Sequence, residues 1–159
     1  MIIAVSGTPG TGKTKLSKKL AKKLNYTYID VKRIITKNKL KESYDKKRRT
    51  YVVDIKKLNP ILIKIIKSSG NLIIDSHLSH YLPPKYVDLC IITKCDLKVL
   101  EKRLKKKRYN KAKIRENLDC EIFDICLNES KEAGHKILVV DTTKGVDLEK
   151  IIKKIKSIN

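Results

Sequence analysis

Residues 7–14 read Gly7-Thr8-Pro9-Gly10-Thr11-Gly12-Lys13-Thr14, a glycine-rich loop between an apolar run and a helical pattern. The loop matches G-x-x-x-x-G-K-[ST] in full, and residues 2–5 before it predict a buried strand while residues 15–24 after it predict a helix. Its glycines allow consecutive N–H groups to turn inward as an anion-binding nest, and the helix N-terminus adds partial positive charge. The loop therefore predicts a polyphosphate site, with Lys13 reaching the β- and γ-phosphates and the Thr14 hydroxyl ligating Mg²⁺.

The 159-residue chain carries 38 Lys and Arg residues against 17 Asp and Glu, which gives a net charge of +21. Its length suits one domain with a substantial core. The positive charge exceeds what one phosphate site requires, which favours a polyanionic partner such as RNA. Solvated, lysine-rich helix faces are the alternative, and charge alone does not choose between the two.

The four cysteines contain no C-x-x-C pair and lie in apolar or helical segments, at Cys90, Cys95, Cys120 and Cys126. This distribution favours reduced thiols in the core of a cytoplasmic protein. The amino terminus leads directly into the first predicted strand, and no apolar run approaches the length of a membrane-spanning helix. We therefore expect a cytoplasmic protein without a membrane partner.

Alternating apolar runs and helical patterns predict a five-stranded parallel sheet with helices on both faces. After the first strand, the others are predicted at 26–29, 72–74, 87–92 and 136–140. Asp30, Asp54 and Asp96 are predicted N-caps of the helices that follow them. Residues 36–51 are polar, densely charged and poor in large aliphatic residues, which predicts an excursion from the core. The excursion is either an acceptor site or a solvated, mobile loop.

Asp75 follows the apolar strand at 72–74, the position at which a phosphate-loop fold holds the Mg²⁺ shell. Strand-terminal Asp residues are also common turn formers, so this assignment depends on the phosphate loop. His77 could orient an attacking water or a phosphate oxygen, or it could only hydrogen-bond the loop backbone. His77 and His80 form an H-x-x-H pattern, but neither a helix nor a third ligand supports a metal pair.

A basic segment at 105–111 joins two predicted helices, one from Leu97 to Leu104 and one from Ala112 to Ala133. This position suits a lid that supplies cations to triphosphate oxygens, and an exposed basic turn is the alternative. Residues 141–145 follow the last strand, at the edge where ligands bind in open α/β sheets.

Several groups of residues resemble the nuclear-type adenylate kinase family, of the isoenzyme 6 type. Members of that family in archaea and eukaryotes double as ATPases in small-ribosomal-subunit maturation. Besides the phosphate loop, the resemblance is carried by Tyr44-Asp45, Asp75-Ser76-His77, Arg103-Leu104 with Arg108-Tyr109-Asn110, and Asn117-Leu118-Asp119-Cys120-Glu121-Ile122-Phe123. It covers essentially the whole chain, and the D-x-H triplet and the last group are more specific than the loop.

The resemblance implies a single α/β domain over residues 1–159 with a three-layer, nucleoside-monophosphate-kinase-like fold. The acceptor-binding excursion is expected at about 30–53 and a short helical lid at about 105–116. ATP is expected to contact Gly7, Gly10, Thr11, Gly12, Lys13, Thr14, Lys15, Arg103, Lys107 and Lys144, the last against the adenine. Catalysis is expected to involve Lys13, Asp75, His77, Lys107 and Arg108. The acceptor is expected to contact Arg33, Tyr44 and Asp45. Mg²⁺ is expected on Thr14 and, through water, on Asp75.

Two departures from the family pattern stand out. Lys107 lies where family members carry a lid arginine, and Arg108 follows where the family often has glycine. Which of the two cations touches phosphate is open, and lysine cannot form the bidentate fork of arginine. Thr36 replaces an arginine expected to grip the monophosphate, with Arg33 as the nearest substitute.

The resemblance implies two functions. The first is reversible transfer of a phosphoryl group from ATP to a nucleoside monophosphate, with AMP as the expected acceptor and Mg²⁺ as the cofactor. The second is an assembly-factor ATPase that binds and releases a small-subunit ribosomal protein of the S-eleven family or contacts ribosomal RNA, with His77 orienting the water.

Overall fold

The computed structural model describes residues 1–47 and 50–158, so residues 48 and 49 of the expected excursion and the last residue of the domain lie outside the described part. Seven strands are described: β1 (Ile2–Ser6), β2 (Thr27–Asp30), β3 (Lys41–Asp45), β4 (Thr50–Val53), β5 (Leu72–Asp75), β6 (Leu89–Lys94) and β7 (Ile137–Asp141). Five of them form a parallel sheet in the order β2-β5-β1-β6-β7, which confirms the predicted five-stranded sheet. Strands β3 and β4 form a separate antiparallel hairpin.

Seven helices are described in the same residues: α1 (Lys13–Leu24), α2 (Val31–Lys37), α3 (Ile55–Ser68), α4 (Leu97–Lys106), α5 (Lys111–Ile122), α6 (Ile125–Glu132) and α7 (Leu148–Lys156). The three predicted N-caps are confirmed, because Asp30, Asp54 and Asp96 each accept a hydrogen bond from a backbone N–H in the first turn of the next helix. Each cap satisfies a donor that the helix itself leaves unpaired.

Two apolar cores lie on the two faces of the sheet, which makes the fold three-layered. Successive side chains of β1 point to opposite faces, so Ala4 packs with Leu58 of α3 in one core. Val5 packs in the other core with Leu16 of α1 and Ile151 of α7. The central strand β1 is buried along its whole length, and its end carries the phosphate loop into α1.

Two predictions about local structure need correction. The helix predicted from Ala112 to Ala133 is two helices, because Asp124 adopts a left-handed φ of 53° between α5 and α6. The strand predicted at 87–92 begins at Leu89, because a 3₁₀ turn over Pro84–Tyr86 precedes it, and it extends two residues further, to Lys94. The other strands differ from their predicted bounds by no more than one residue at each end.

The excursion forms the β3–β4 hairpin rather than an unstructured loop. The rings of Tyr44 and Tyr51 meet edge to face across it, with centroids 5.0 Å apart. Cross-strand aromatic pairs of this kind stabilise a two-stranded ribbon. Among the described residues, no helix combines the length and the apolar composition needed to cross a bilayer.

Candidate active site

The phosphate loop lies between the end of β1 and the start of α1. Gly7, Gly10 and Gly12 adopt φ values of 132°, 99° and 93°, which side chains rarely permit. At Gly7 a second constraint applies, since a Cβ there would lie 2.5 Å from the Thr93 carbonyl oxygen of β6. The loop therefore packs directly on the sheet.

Lys13 is buried, and its Nζ donates to the carbonyl oxygens of Gly7 at 2.8 Å and Thr8 at 2.9 Å. Desolvation, with a smaller contribution from the charge of Lys107, lowers the pKa of Lys13 from 10.5 to about 8, and the charge of Asp75 opposes the shift. An ammonium group that is desolvated and bonded to neutral carbonyls gains by meeting an anion. The loop thus presents a cation suited to phosphate oxygens.

Asp75 ends β5, which pairs with both β1 and β2, and its side chain is only 7% exposed. The Tyr28 hydroxyl of β2 donates to Asp75 Oδ2 at 2.8 Å. Burial, together with this hydrogen bond, raises the pKa of Tyr28, so the phenol stays protonated and remains a donor. Among the described residues, Tyr28 is the one that donates a hydrogen bond to this carboxylate.

The oxygen atoms of Thr14 and Asp75 are hard donors of the kind that Mg²⁺ takes together with water and phosphate. Thr14 is exposed in the first turn of α1, and Asp75 lies at the neighbouring strand end. Within residues 1–47 and 50–158, no group of three or more His, Cys, Asp or Glu side chains could hold a metal ion alone. The donor set fits a Mg²⁺ ion that completes its shell with water and substrate.

His77 and His80 have different environments. His80 is buried, with Ser6 Oγ 2.6 Å from its Nδ1 and Glu129 Oε2 2.9 Å from its Nε2. Both ring nitrogens are therefore engaged, and His80 ties the end of β1 to α6. His80 therefore has no free ring nitrogen with which to bind a metal ion together with His77.

His77 lies beside Asp75 in sequence and is exposed by surface area. Desolvation nevertheless lowers the pKa of His77 from 6.5 to about 4, with the charge of Lys13 as the next cause. The imidazole is thus neutral at physiological pH and can accept a hydrogen bond from a water or donate one to an oxygen.

The connection between α4 and α5 corresponds to the expected lid. Lys107 caps the end of α4 and is exposed, and it is close enough to Lys13 for its charge to lower the pKa of that lysine. Arg108 adopts a left-handed φ of 57°, a conformation that favours glycine. Asn110 caps α5, and its Nδ2 donates to the Lys47 carbonyl of the hairpin at 3.3 Å.

Arg103 holds the loop that follows β7. Its Nη2 donates to the Thr142 carbonyl at 2.8 Å and to the Thr143 carbonyl at 3.4 Å, and its Nη1 lies 3.2 Å from Thr142 Oγ1. The Thr142 hydroxyl in turn donates to the Thr11 carbonyl of the phosphate loop. Arg103 therefore connects α4 to this loop, which carries the exposed Lys144.

The expected acceptor residues lie on two elements. Arg33, on α2, has a side chain that is 89% exposed, with Nε 3.9 Å from Asp30 Oδ2. Tyr44 and Asp45 lie on β3, where Tyr44 is half exposed. Thr36, which replaces the expected arginine, donates its hydroxyl to the Lys32 carbonyl one turn earlier. Arg33 thus projects into solvent, and the aromatic ring of Tyr44 is available on the hairpin.

The sequence matches the AAA domain family over residues 3–124. A protein named "Putative adenylate kinase" from Methanocaldococcus jannaschii is 38% identical over 155 residues, which cover 98% of this chain and 84% of that protein. An "Adenylate kinase isoenzyme 6 homolog" from Dictyostelium discoideum is 33% identical over 139 residues, covering 87% and 79%. The chain belongs to the adenylate kinase-like family.

Solved structures agree with the fold of this adenylate kinase-like protein. A deoxyadenosine kinase from M. mycoides superposes with a TM-score of 0.61 at 20% identity, covering 99% of this chain and 100% of that one. A shikimate kinase from Acinetobacter baumannii superposes with a TM-score of 0.62 at 14% identity, covering 98% and 93%. At these identities the likeness concerns the fold, which is that of phosphate-loop kinases.

Two residues of this adenylate kinase-like protein were missed from the sequence. The sequence places Tyr28 only in a strand, and its bond to Asp75 depends on the pairing of β2 with β5. Lys113 lies in the first turn of α5, near enough to His77 for its charge to lower the pKa of that histidine. Its ammonium also lies 4.4 Å from the Tyr109 ring centroid. The position of Lys113 inside the expected lid, 105–116, was the one available signal.

Proposed function

We propose that this protein catalyses reversible transfer of the γ-phosphoryl group of ATP to a nucleoside monophosphate, with AMP as the preferred acceptor. One observation carries the proposal: Lys13 is desolvated in an intact phosphate loop, and the charges of Asp75 on β5 and Lys107 on the lid both act on it. Three elements thus contribute charges to one point. The names of the relatives support adenylate kinase chemistry at that point.

Phosphoryl transfer requires little covalent work from a protein, so positioning and charge neutralisation do most of the catalysis. Lys13 exchanges its two carbonyl acceptors for oxygens of the β- and γ-phosphates, while backbone N–H groups of the loop cradle the same phosphates. Lys107, with Arg108 beside it, approaches from the lid. Lys107 is favoured as the phosphate contact because its charge reaches Lys13.

Thr14 and Asp75 would hold Mg²⁺, Thr14 directly and Asp75 through water, with Tyr28 fixing one carboxylate oxygen. When bound, Mg²⁺ neutralises charge on the phosphate oxygens. On the acceptor side, Arg33, Tyr44 and Asp45 would contact the monophosphate nucleotide. Arg103 would act on ATP indirectly, by holding the loop from which Lys144 reaches the adenine.

Turnover of MgATP with and without AMP, measured as ADP and free phosphate separately, tests the proposal. We expect ADP to rise with AMP while phosphate release stays low. Lys13→Ala is expected to lower the transfer rate at least about 100-fold, the scale of losing one cation at the developing charge. Lys19→Ala, which removes an exposed lysine from the same helix, is the matched control. Equal turnover in Lys13→Ala and Lys19→Ala would refute the site.

A second candidate is an assembly-factor ATPase that binds and releases a small-subunit ribosomal protein of the S-eleven family. It is favoured by an exposed apolar corner between α5 and α6, where Ile122, Phe123 and Ile125 are 49%, 65% and 40% exposed. Residues 116–132 around this corner hold six of the chain's 17 acidic residues but one of its 38 basic ones. An apolar, acidic corner on a basic protein suits a strongly basic protein partner.

In this second activity a neutral His77 would orient the attacking water. His77→Ala should then reduce phosphate release more than transfer to AMP, and an equal loss of both would assign His77 to the Mg²⁺ shell or to structure. Phe123→Ser should abolish stimulation of phosphate release by the ribosomal protein, whereas Leu97→Ser, at another exposed apolar site, should not. Contact with ribosomal RNA predicts binding that falls steeply with salt, and a flat salt dependence would exclude it.

A further inference from the structure

Cys120 and Cys126 meet beside the phosphate loop, although the proposed phosphoryl transfer uses neither. Cys120 lies near the end of α5 and Cys126 in the first turn of α6. The left-handed turn at Asp124 folds the two helices against each other, and both thiols line one small cavity. The break between the helices thus brings the two cysteines together.

Cys120 also touches the phosphate loop, and Cys126 lines a cavity beside it. Thr8 Oγ1 donates to Cys120 Sγ at 3.6 Å, and a cavity of about 10 Å³ is lined by both cysteines together with Gly7 and Thr8. The Thr8 carbonyl accepts hydrogen bonds from Lys13 Nζ and from the Thr11 hydroxyl. A change at Cys120 therefore acts on the residue that holds Lys13.

The two thiols differ in a way that assigns each a role. Cys126 is buried, while Cys120 is half-buried and thus the more accessible sulfur. Hydrogen bonds from Cys126 and Thr8 lower the pKa of Cys120, because they stabilise its thiolate, whereas the same pairing raises the pKa of Cys126. A reactive, accessible thiolate next to a second thiol is the arrangement of a two-cysteine redox site.

We propose that Cys120 and Cys126 are a redox modification site, at which a hydroperoxide drives formation of a disulfide that disables the phosphate loop reversibly. The Cys120 thiolate attacks one oxygen of hydrogen peroxide, so that an S–O bond forms, the O–O bond breaks and hydroxide leaves to become water. The Cys126 sulfur then attacks the Cys120 sulfur, forming the S–S bond and releasing the second oxygen as water. Both thiol protons end in water, and a dithiol reductant returns the two electrons.

The disulfide brings the sulfur atoms to about 2 Å, which is closer than any hydrogen-bond contact between thiols. The end of α5 and the start of α6 must approach each other, and Cys120 no longer offers a thiolate to Thr8. We therefore expect the Thr8 carbonyl and Lys13 to shift and nucleotide binding to weaken at least about tenfold. The other two cysteines are poor candidates, because Cys90 is buried with its pKa raised by burial to about 12, and Cys95 is buried beside Arg103.

The test treats the full chain with hydrogen peroxide and maps the thiols by mass spectrometry. Both cysteines fall in one tryptic peptide, residues 116–131, so the disulfide appears there as the loss of two hydrogen atoms. Cleavage after Glu121 should leave the two halves linked until a dithiol is added. Binding of a fluorescent ATP analogue should fall on oxidation and recover on reduction. This mass readout is independent of kinase activity, so it separates failure of this inference from failure of the proposed function.

Variants assign the two roles. Cys126→Ser should stop at a sulfenic acid on Cys120 that a diketone probe labels, Cys120→Ser should give no disulfide in the peptide, and Cys95→Ser should behave as wild type. Refutation would come from a wild-type peptide that keeps both free thiols, from a disulfide that involves Cys90 or Cys95, or from a disulfide that leaves nucleotide binding unchanged. Mapping of the wild-type chain does not depend on whether any variant folds.

Discussion

Gly7→Ala is expected to destabilise the protein and to displace the phosphate loop from β6. The added Cβ would lie 2.5 Å from the Thr93 carbonyl oxygen and 2.6 Å from Thr93 Oγ1, against 3.4–4 Å for ordinary contacts. Thr93 cannot withdraw easily, because β6 is paired on both sides and Thr93 Oγ1 is bonded to the Thr11 hydroxyl and the Ser6 carbonyl. The loop, rather than the strand, must move by roughly 1 Å, the difference between these distances.

The free-energy cost has two parts. A side chain at a φ of 132° costs about 1–3 kcal/mol, less about 0.4–1 kcal/mol because alanine has less freedom than glycine in the unfolded chain. Overpacking against Thr93 adds about 1–3 kcal/mol. Together they lower the free energy of unfolding by about 1–6 kcal/mol, and for a chain of this size each kcal/mol lowers Tm by about 2–4 °C.

Two other glycines isolate these parts. Gly145 has a φ of 103° and nothing within 4 Å of a built Cβ, so Gly145→Ala measures the backbone part alone. Gly70 has neither constraint, and Gly70→Ala should be neutral or slightly stabilising. Urea unfolding followed by circular dichroism gives all three free energies, and binding of an ATP analogue reports on the loop. If Gly7→Ala were no less stable than Gly145→Ala, the packing of the loop on β6 would be wrong.

Three further predictions concern charge and hydrogen bonds at the site. The pKa of Lys13 is about 8 in the free protein, and phosphate oxygens raise it, so ATP binding should take up close to one proton above pH 8 and the Kd for ATP should rise about tenfold per pH unit there. Calorimetry in buffers of different ionisation enthalpy measures the proton uptake. Binding without proton uptake above pH 8 would contradict the assignment of Lys13. Tyr28→Phe leaves a buried oxygen of Asp75 without its hydrogen-bond donor, so the free energy of unfolding should fall by about 1–3 kcal/mol and turnover should fall several-fold. Tyr26→Phe is the control, because it removes only a weak contact to the Met1 sulfur and should change neither stability nor turnover. Arg103→Ala should lower the free energy of unfolding by about 2–4 kcal/mol, because the hydrogen bonds to the loop carbonyls are lost. The affinity for ATP should fall less in Arg103→Ala than in Lys13→Ala. A larger loss of affinity in Arg103→Ala would make Arg103 a direct ligand of ATP.

The sheet and the placement of Lys13 and Asp75 could be predicted because their signals are local. An apolar run, a glycine loop and a helix follow one another, and parallel strands bring the residues at their carboxyl ends to one edge. The N-caps Asp30 and Asp96 could be predicted for the same reason, because each capping hydrogen bond joins residues only two positions apart.

The remaining features depend on contacts between distant parts of the chain. Tyr28 reaches Asp75 only because β2 is next to β5, and Arg103 reaches Thr142 across 39 positions. The break between α5 and α6 at Asp124 could not be predicted, because no glycine or proline lies there. Asp does, however, tolerate a left-handed φ better than most residues. The hairpin also lacks a glycine or an asparagine in its described residues, so its charged sequence suggested a loop.

The hydrogen bond from Asn110 to the Lys47 carbonyl joins the lid connection to the hairpin, the two parts assigned to opposite substrates. If each part closes over its substrate as proposed, this bond couples the two closing motions. Thermodynamic linkage then makes the effect reciprocal: the factor by which ATP raises the affinity for the acceptor equals the factor by which the acceptor raises the affinity for ATP. Cooperative binding of the two substrates would then depend on one hydrogen bond, from the Asn110 side chain to the Lys47 carbonyl.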